Sequence, residues 1–252
     1  INCFCRSNDI VFNVVDCGLL EAITEKSSML ITQRLGAGTH NFSRQPAMRL
    51  AQVETGLSYG DHLVAHYLRQ GHNIVLLGEM GIANTSSAAA LMAALTSYSV
   101  EDCVGYGTGI SSEQYQHKLA LIKQGLARLT GQEKIPELLS QLGGFEIVQL
   151  VGVIVAAAKQ GLPVMIDGFI VSVAALLASK LEPNVLDYLI FSHQSDEKGH
   201  QLLLTYLQAK PLLSLGLRLG EGTGAALAFP LLTAAVSFYN DMATFDSAGV
   251  TV

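Results

Sequence analysis

The chain has 252 residues, of which 50% are hydrophobic and 14% are charged, and its formal net charge is −6. This length suits one large domain, or one domain with a small appendage, and the composition excludes disordered, collagen-like and coiled-coil proteins. The 15 Lys and Arg against 21 Asp and Glu argue against a nucleic-acid partner, because neutralising phosphates requires clustered cations.

Short apolar runs alternate with longer helical patterns along the chain. In chain order, these patterns predict a strand at 10–15, a helix at 58–69, a strand at 73–77, helices at 86–96, 113–129 and 147–159, a strand at 163–166, a helix at 171–180, a strand at 188–191 and a helical tail at 225–245. Because the strands lack polar alternation, they suit a parallel sheet that is covered on both faces. The predicted fold class is therefore α/β, with a doubly wound, mainly parallel sheet, helices on both faces and a small helical subdomain.

The four predicted strands end beside polar residues. These are Asp16, Glu79, Asp167 and the segment 192–195. In open parallel sheets, ligands bind outside the carboxyl ends of the strands, so the functional site is expected there.

Several features bear on cellular location. The longest uncharged stretches, near 80–100 and 222–239, are interrupted by polar residues, so no membrane span is predicted. We find no signal peptide pattern, and four cysteines do not make a disulfide framework, which indicates a cytoplasmic protein. Because the chain starts with Ile1 in an apolar segment, we expect it to begin inside a longer protein.

The segment 220–225, GEGTGA, matches a loose dinucleotide-binding pattern. Glu221 lies between its glycines, where a negatively charged pyrophosphate would be repelled. Two other interpretations are a glycine turn with a solvated Glu221, and a loop that brings a ligand close to a catalytic carboxylate.

A second glycine-containing segment, 78–87, follows a predicted strand and precedes an Ala-rich helix. Thr85 or Ser86 is the expected N-cap, and the free N–H groups of that first turn could bind an anion; a capped turn without a ligand is the alternative. A third glycine loop covers 105–109, with Lys118 a little beyond it. Taken alone, Lys118 fits a solvated surface lysine.

Other motifs do not indicate a metal site. His62 and His66 lie one helical turn apart, but the sequence HLVAH lacks the glutamate of a zincin motif. Cys3 and Cys5 are spaced too closely for a zinc finger and have no partner pair. Three arginines in a Gly/Asn/Pro loop could meet a phosphate or carboxylate or be solvated: Arg34, Arg44 and Arg49.

Four sequence blocks in a fixed order are more specific than any single motif. They are GEMGIANTSSAAA at 78–90, GGFEIVQLVGVIVAAAKQGLPVMIDGFI at 143–170, SHQSDEKGH at 192–200 and LRLGEGTGAALAFPLL at 217–232. With RLGAGTHNF and QPAM in 34–48, they closely resemble the nicotinate-nucleotide–dimethylbenzimidazole phosphoribosyltransferase family. The resemblance extends over residues 1–252 and implies that the chain lacks the family's N-terminal quarter.

The chain departs from the family pattern at a few positions. Tyr106 stands where an arginine is frequent, and Ala83 and Ser86 replace a Gly and a Thr. Glu146 replaces a common Asp. The missing N-terminal quarter supplies part of the benzimidazole pocket in relatives, so the resemblance implies poor or absent turnover but intact donor binding for the chain alone.

The resemblance implies a reaction in the assembly of the cobalamin nucleotide loop. The family transfers the 5-phosphoribosyl group of nicotinate mononucleotide to 5,6-dimethylbenzimidazole, with inversion at the anomeric carbon, and releases nicotinate and α-ribazole 5′-phosphate. This makes the chain a pentosyltransferase with small-molecule substrates and no metal or organic cofactor. A homodimer, a domain at 1–220 and a helical subdomain part at 221–252 are also expected.

The resemblance also assigns roles to individual residues. Glu221 matches the general base, in a close and mostly apolar pocket that would raise its pKa, and Glu79 matches a carboxylate near the ribose. Phosphate or ribose contacts are implied for Gly81, Ala83, Asn84, Thr85, Lys118, Asp167, Gly168 and Ser195. For Asp167, a structural role is the alternative to a ribose contact. Two other functions are weighed: a catalytically silent nucleotide-binding paralogue, and a dinucleotide-dependent oxidoreductase.

Overall fold

The computed structural model describes residues 1–106, 109–245 and 247–249. The strands are β1 (Val14–Asp16), β2 (Leu30–Thr32), β3 (Val75–Leu77), β4 (Val164–Ile166), β5 (Leu189–Phe191), β6 (His193–Ser195) and β7 (Leu213–Leu217). The helices are α1 (Asn2–Ser7), α2 (Leu50–Arg69), α3 (Asn84–Leu95), α4 (Val100–Cys103), α5 (Ser112–Leu126), α6 (Ile135–Leu142), α7 (Phe145–Lys159), α8 (Phe169–Leu181), α9 (Lys198–Tyr206) and α10 (Thr223–Asp241), with a 3-10 helix at Pro183–Tyr188.

Every strand pairing in the described residues is parallel, which confirms the α/β class. Strands β3, β4 and β5 are hydrogen-bonded in sequence order, and β6 pairs with β7. Only Ser192 separates β5 from β6; its N–H donates to Ile166 O, and the Leu213 N–H donates to Ser192 O. The main sheet therefore runs β3, β4, β5–β6, β7, while β1 and β2 form a separate pair.

Helices cover both faces of the main sheet. Val164 and Ile166 of β4 belong to the large core that includes α3, α7 and α8. Met165, between them, belongs to a smaller cluster with Ala225 and Ala228 of α10. Because successive side chains of a strand point to opposite faces, α10 covers the face away from α7 and α8. The central strand β4 is therefore buried on both faces, as the sequence predicts, while β3 and β5 beside it are partly buried.

The predicted helix at 58–69 is observed, but α2 begins earlier, at Leu50. Gly56 and Gly60 resemble helix breakers in sequence, yet they serve the packing of α2 against α7. A Cβ at Gly60 would lie 2.4 Å from Val153 N, so the two helix backbones approach closely at this position. Contact with α7 thus overrides the weak helix propensity of glycine.

The predicted helical tail is also observed, as α10, which packs on β3, β6 and β7 through its N-terminal part. The division of the chain at residue 220 stays a prediction; residues 246 and 250–252 of the second part lie outside the described residues. Within the part of the chain that the structure describes, no helix is long and apolar enough to cross a membrane. The same residues contain no group of three or more His, Cys, Asp or Glu side chains that could hold a metal ion.

Candidate active site

The first part of the site lies at the carboxyl end of β3. Gly78 and Glu79 follow this strand, and Glu79 Oε2 accepts a hydrogen bond from Asn84 Nδ2 at the start of α3. Burial raises the pKa of Glu79 to about 7, and the nearby carboxylates of Glu146, Asp167 and Glu221 also raise it. Glu79 is therefore a carboxyl group that changes its charge near neutral pH.

The start of α3 differs from the sequence prediction. Its N-cap is Ala83, with φ of 68°, and not Thr85 or Ser86, so that prediction was wrong. The Ala83 methyl cannot cap the helix, and the Asn84 amide is engaged by Glu79. The helix N-terminus thus has no side-chain cap, which leaves its N–H groups and partial positive charge available to an anion. Gly81 and Ala83 of this turn are exposed.

Lys118 of α5 reaches the same helix end. Its Nζ lies 3.0 Å from Thr85 Oγ1 and 3.2 Å from Gly105 O. Burial lowers the pKa of Lys118, and the charge of Glu197 partly opposes that effect. Lys118 is thus a partly buried lysine beside the start of α3, and not a freely solvated one. The middle of the glycine loop next to it, residues 107 and 108, lies outside the described residues.

The Glu221 loop, Gly220–Gly222, lies beside Glu79 and leads into α10. The Glu221 N–H donates to Glu79 O at 3.1 Å, which joins the two candidate catalytic residues through their main chains. The Glu221 side chain is exposed, so the expected close, apolar pocket around it is not found in the described residues. The main chain of the loop packs against Gly78, and the Glu221 side chain is exposed to solvent.

Asp167 and Gly168 follow β4. Asp167 is only 2% exposed, and its carboxylate accepts hydrogen bonds from the main chain of Gly222 and Ala225. Gly168 is the N-cap of α8, and an added Cβ would lie 3.9 Å from Ser195 Cβ. The ends of β4 and β6 are therefore adjacent.

Ser195 is held by a buried histidine. His200 Nδ1 accepts from the Ser195 N–H at 2.9 Å and lies 2.8 Å from Ser195 Oγ, while His200 Nε2 lies 2.9 Å from Ser172 Oγ. Burial lowers the pKa of His200 to about 3, so the ring is neutral at physiological pH. An Nδ1 that accepts an N–H must place the proton on Nε2, which then donates to Ser172.

These contacts join the two predicted catalytic residues and most of the predicted ligand contacts into one region at the strand ends. Glu146, at the start of α7, is an addition that the predicted set lacks. Burial raises the pKa of Glu146, and its Oε1 is buried without a hydrogen-bond partner. Its replacement of a common Asp was the available signal in the sequence. His193 and His200, both in the 192–200 block, were likewise not assigned roles from sequence.

Comparisons with known proteins identify the family. A family model described as phosphoribosyltransferase matches residues 1–250. The chain belongs to this phosphoribosyltransferase family. It is 54% identical over 252 residues to the nicotinate-nucleotide–dimethylbenzimidazole phosphoribosyltransferase of Vibrio vulnificus (strain CMCP6), covering 100% of this chain and 73% of that protein. The protein of the same name from Shewanella baltica (strain OS223) is 53% identical, over 99% of this chain and 69% of its own length.

Two solved structures of the same family have the same fold. A crystal structure of CobT from Thermus thermophilus matches with a TM-score of 0.95 at 38% identity, over 99% of this chain and 74% of that one. A crystal structure of nicotinate-nucleotide–dimethylbenzimidazole phosphoribosyltransferase from the same organism gives a TM-score of 0.93 at 37% identity, over 100% and 74%. The described residues therefore share the fold of these two structures.

Proposed function

We propose that this phosphoribosyltransferase moves the 5-phosphoribosyl group of nicotinate mononucleotide to 5,6-dimethylbenzimidazole. The products are α-ribazole 5′-phosphate and nicotinate, and the reaction belongs to cobalamin nucleotide-loop assembly. The named relatives support the choice of substrates. One observation carries the proposal. The Glu221 N–H donates a hydrogen bond to Glu79 O, which brings the two candidate catalytic residues together beyond the carboxyl end of β3.

The charges of the site suit a cationic donor. The negative charges of Glu146, Asp167 and Glu221 help to raise the pKa of Glu79, so the surroundings of Glu79 are negative. The pyridinium ring of nicotinate mononucleotide is positive, and so is the ribosyl carbon as its bond to the ring breaks. An ionised Glu79 beside that carbon would stabilise the developing oxocarbenium charge.

The donor phosphate requires a separate, positive site. We place it at the uncapped start of α3, with Lys118 beside it and contacts from Gly81, Asn84 and Thr85. The helix N-terminus and the lysine both favour an anion. Gly168 and Ser195 complete the proposed phosphate contacts from the neighbouring strand ends.

The chemical step breaks the bond between the anomeric carbon and the pyridinium nitrogen, whose electron pair leaves with nicotinate. One benzimidazole nitrogen forms the new bond to that carbon. The proton on the other benzimidazole nitrogen passes to Glu221, whose exposed carboxylate is accessible to an acceptor base. No metal or organic cofactor enters these steps.

Incubation of the chain with nicotinate mononucleotide and dimethylbenzimidazole tests the proposal. We expect release of nicotinate that requires the benzimidazole, and a new ribosyl phosphate product that contains it. Because the chain spans 73% of the length of the Vibrio vulnificus relative, the same assay is run on the chain joined to that relative's remaining segment. Binding of the donor without any product from this longer protein would instead support the catalytically silent paralogue. Binding of NAD in place of the mononucleotide would support an oxidoreductase.

We also propose that the protein is a cytoplasmic homodimer. From its middle onward, α10 exposes several large apolar side chains: Leu231, Val236, Phe238 and Tyr239. Contiguous exposed apolar surface on a soluble protein typically marks an interface, and a second copy is the partner that most often covers it. The net charge of −6 supports the further proposal that no nucleic acid binds.

A further inference from the structure

Asp167 is buried, and its carboxylate is bound by the main chain, which is unusual for a residue that contacts substrate. It follows the last residue of β4, and its side chain is buried against the start of α10. Its Oδ2 accepts from the Gly222 N–H at 3.0 Å, and its Oδ1 accepts from the Ala225 N–H at 3.2 Å. Both carboxylate oxygens are therefore used by main-chain donors that lie 55 and 58 residues away in sequence.

These donors belong to a helix end that has no other cap. The N-cap of α10 is Gly222, with φ of 77° and no capping side chain of its own. Asp167, just after β4, supplies the missing acceptor, and its negative charge suits the positive end of the helix. The start of α10 is therefore capped by a carboxylate that is distant in sequence, and not by one from the neighbouring residues.

The Glu221 loop needs such support because its backbone is unusual. Gly220, Glu221 and Gly222 all have positive φ values, of 75°, 63° and 77°. The two glycines adopt this region readily, but Glu221 has a Cβ and does so only when surrounding contacts hold it. Three successive left-handed residues are thus a conformation that tertiary contacts must maintain.

A second contact fixes the loop from the β3 side. The Glu221 N–H donates to Glu79 O, and the loop lies so close to Gly78 that a Cβ there would be 2.1 Å from Gly222 N. The loop is therefore held against the ends of both β3 and β4. Asp167 provides the β4 contact.

His193 closes the remaining side of the Asp167 carboxylate. Its Nε2 lies 3.3 Å from Asp167 Oδ1, and its side chain is only 2% exposed. Gly224 allows this packing, since a Cβ there would lie 2.0 Å from His193 Cδ2. Asp167 is thus enclosed by the loop, α10 and His193, which leaves little room for a ribose hydroxyl.

We infer that Asp167 is a positioning residue, whose carboxylate holds the Glu221 loop in the left-handed conformation that presents Glu221 to the acceptor base. For Asp167 the resemblance leaves open a ribose contact or a structural role, and the inference specifies the second by naming the loop that the carboxylate holds. The inference rests on the proposed function only for the role of Glu221; the contact between Asp167 and the loop is independent of it.

The test compares Asp167→Asn with the wild-type chain, and Asp61→Asn, an exposed aspartate on α2, is the matched control. An asparagine keeps the size but presents one NH₂ group to a main-chain donor, so one hydrogen bond is lost. Amide exchange at Gly222 and Ala225 should accelerate by about 10-fold or more, while exchange in α7 stays unchanged. The control should behave as the wild type.

Kinetics separate positioning from substrate contact. In Asp167→Asn, kcat should fall by about 10–100-fold, while KM for nicotinate mononucleotide changes by less than about two-fold. When Glu221→Gln is already present, Asp167→Asn should change kcat by less than about three-fold, because the residue it positions is gone. A raised KM with unchanged kcat, or an undiminished effect in the Glu221→Gln protein, would show that Asp167 contacts substrate directly.

Exchange in the wild-type chain keeps the inference testable if Asp167→Asn does not fold. The Gly222 and Ala225 amides should be protected even though they adjoin the exposed Glu221; rapid exchange of both would overturn the inference. Failure of the proposed function would be recognised separately, as protected amides in a chain that yields no product from nicotinate mononucleotide and dimethylbenzimidazole.

Discussion

At the scale of single residues, each candidate group has a role that its surroundings explain. Glu79 combines burial with neighbouring negative charge, so its pKa is raised to about 7, whereas Glu221 is exposed. The two carboxylates are therefore not equivalent. Glu79 suits a place near the ribose, where its charge would act on the ribosyl carbon. Glu221 suits contact with the incoming benzimidazole base.

The raised pKa of Glu79 makes stability depend on pH. The unfolded carboxyl titrates near its ordinary value of 4.5 and the folded one at about 7, so the folded protein binds the extra proton between these values. Stability must therefore fall as pH rises through this window. Glu79→Gln lacks the effect, and its stability relative to the wild type should rise by about 1–3 kcal/mol between about pH 5 and pH 8.

Urea unfolding at both pH values measures this difference. Glu54→Gln, at an exposed position of α2, is the control and should follow the wild type at each pH. An equal difference between Glu79→Gln and the wild type at the two pH values would contradict the raised pKa.

Lys118 supplies the second residue-scale prediction. Lys118→Ala should weaken nicotinate mononucleotide more than free nicotinate, since only the former carries a phosphate. The loss of a charge-assisted contact is about 1.5–3 kcal/mol, which calorimetric titration of both ligands resolves. The control is Lys159→Ala, at the exposed end of α7. Equal weakening of the two ligands would place Lys118 away from the phosphate.

At the scale of elements, the pattern of apolar residues in the sequence predicts the buried helices and strands. The helices at α3, α5, α7 and α8 and the strands β3, β4 and β5 follow from it within a few residues. These elements form the core, so their apolar patterns directly reflect burial.

Two of the strands that sequence reasoning missed, β6 and β7, depend on contacts between residues distant in sequence. Strand β6 reads His-Gln-Ser and contains no apolar residue; it is a strand because it pairs with β7. The residues of β7 are largely exposed and have no buried pattern to detect. The capping of α10 by Asp167 likewise joins two residues more than 50 positions apart, and no local motif signals it.

Close packing of α2 and α7 gives an element-scale prediction. A Cβ at Gly152 would lie 2.4 Å from Leu57 O, which belongs to the backbone of the opposite helix. Gly152→Ala should therefore force the helices apart and lower the free energy of unfolding by about 1–3 kcal/mol. Denaturant unfolding checks this, with Lys159→Ala as the control in α7. Unchanged stability in Gly152→Ala would show that the helices are not so closely packed.

At the scale of the whole molecule, the candidate site lies at the carboxyl ends of the strands. The second part of α10, from Leu231, exposes large apolar side chains. If that surface joins two copies, sedimentation at micromolar concentration should give a dimer, and Phe238→Glu should shift it toward the monomer. Glu54→Lys changes a surface charge on α2 and should leave the dimer intact. A monomer for the wild-type chain would contradict the proposed assembly.

The most direct test of the proposed phosphoribosyl transfer is the turnover of Glu221→Gln compared with its binding of both substrates. Glutamine keeps the shape of the side chain but cannot accept the benzimidazole proton, so turnover should fall by about 10²–10⁴-fold while both substrates still bind. Glu113→Gln, an exposed change on α5, should retain wild-type turnover. Wild-type turnover in Glu221→Gln would contradict the assignment of Glu221 as the general base.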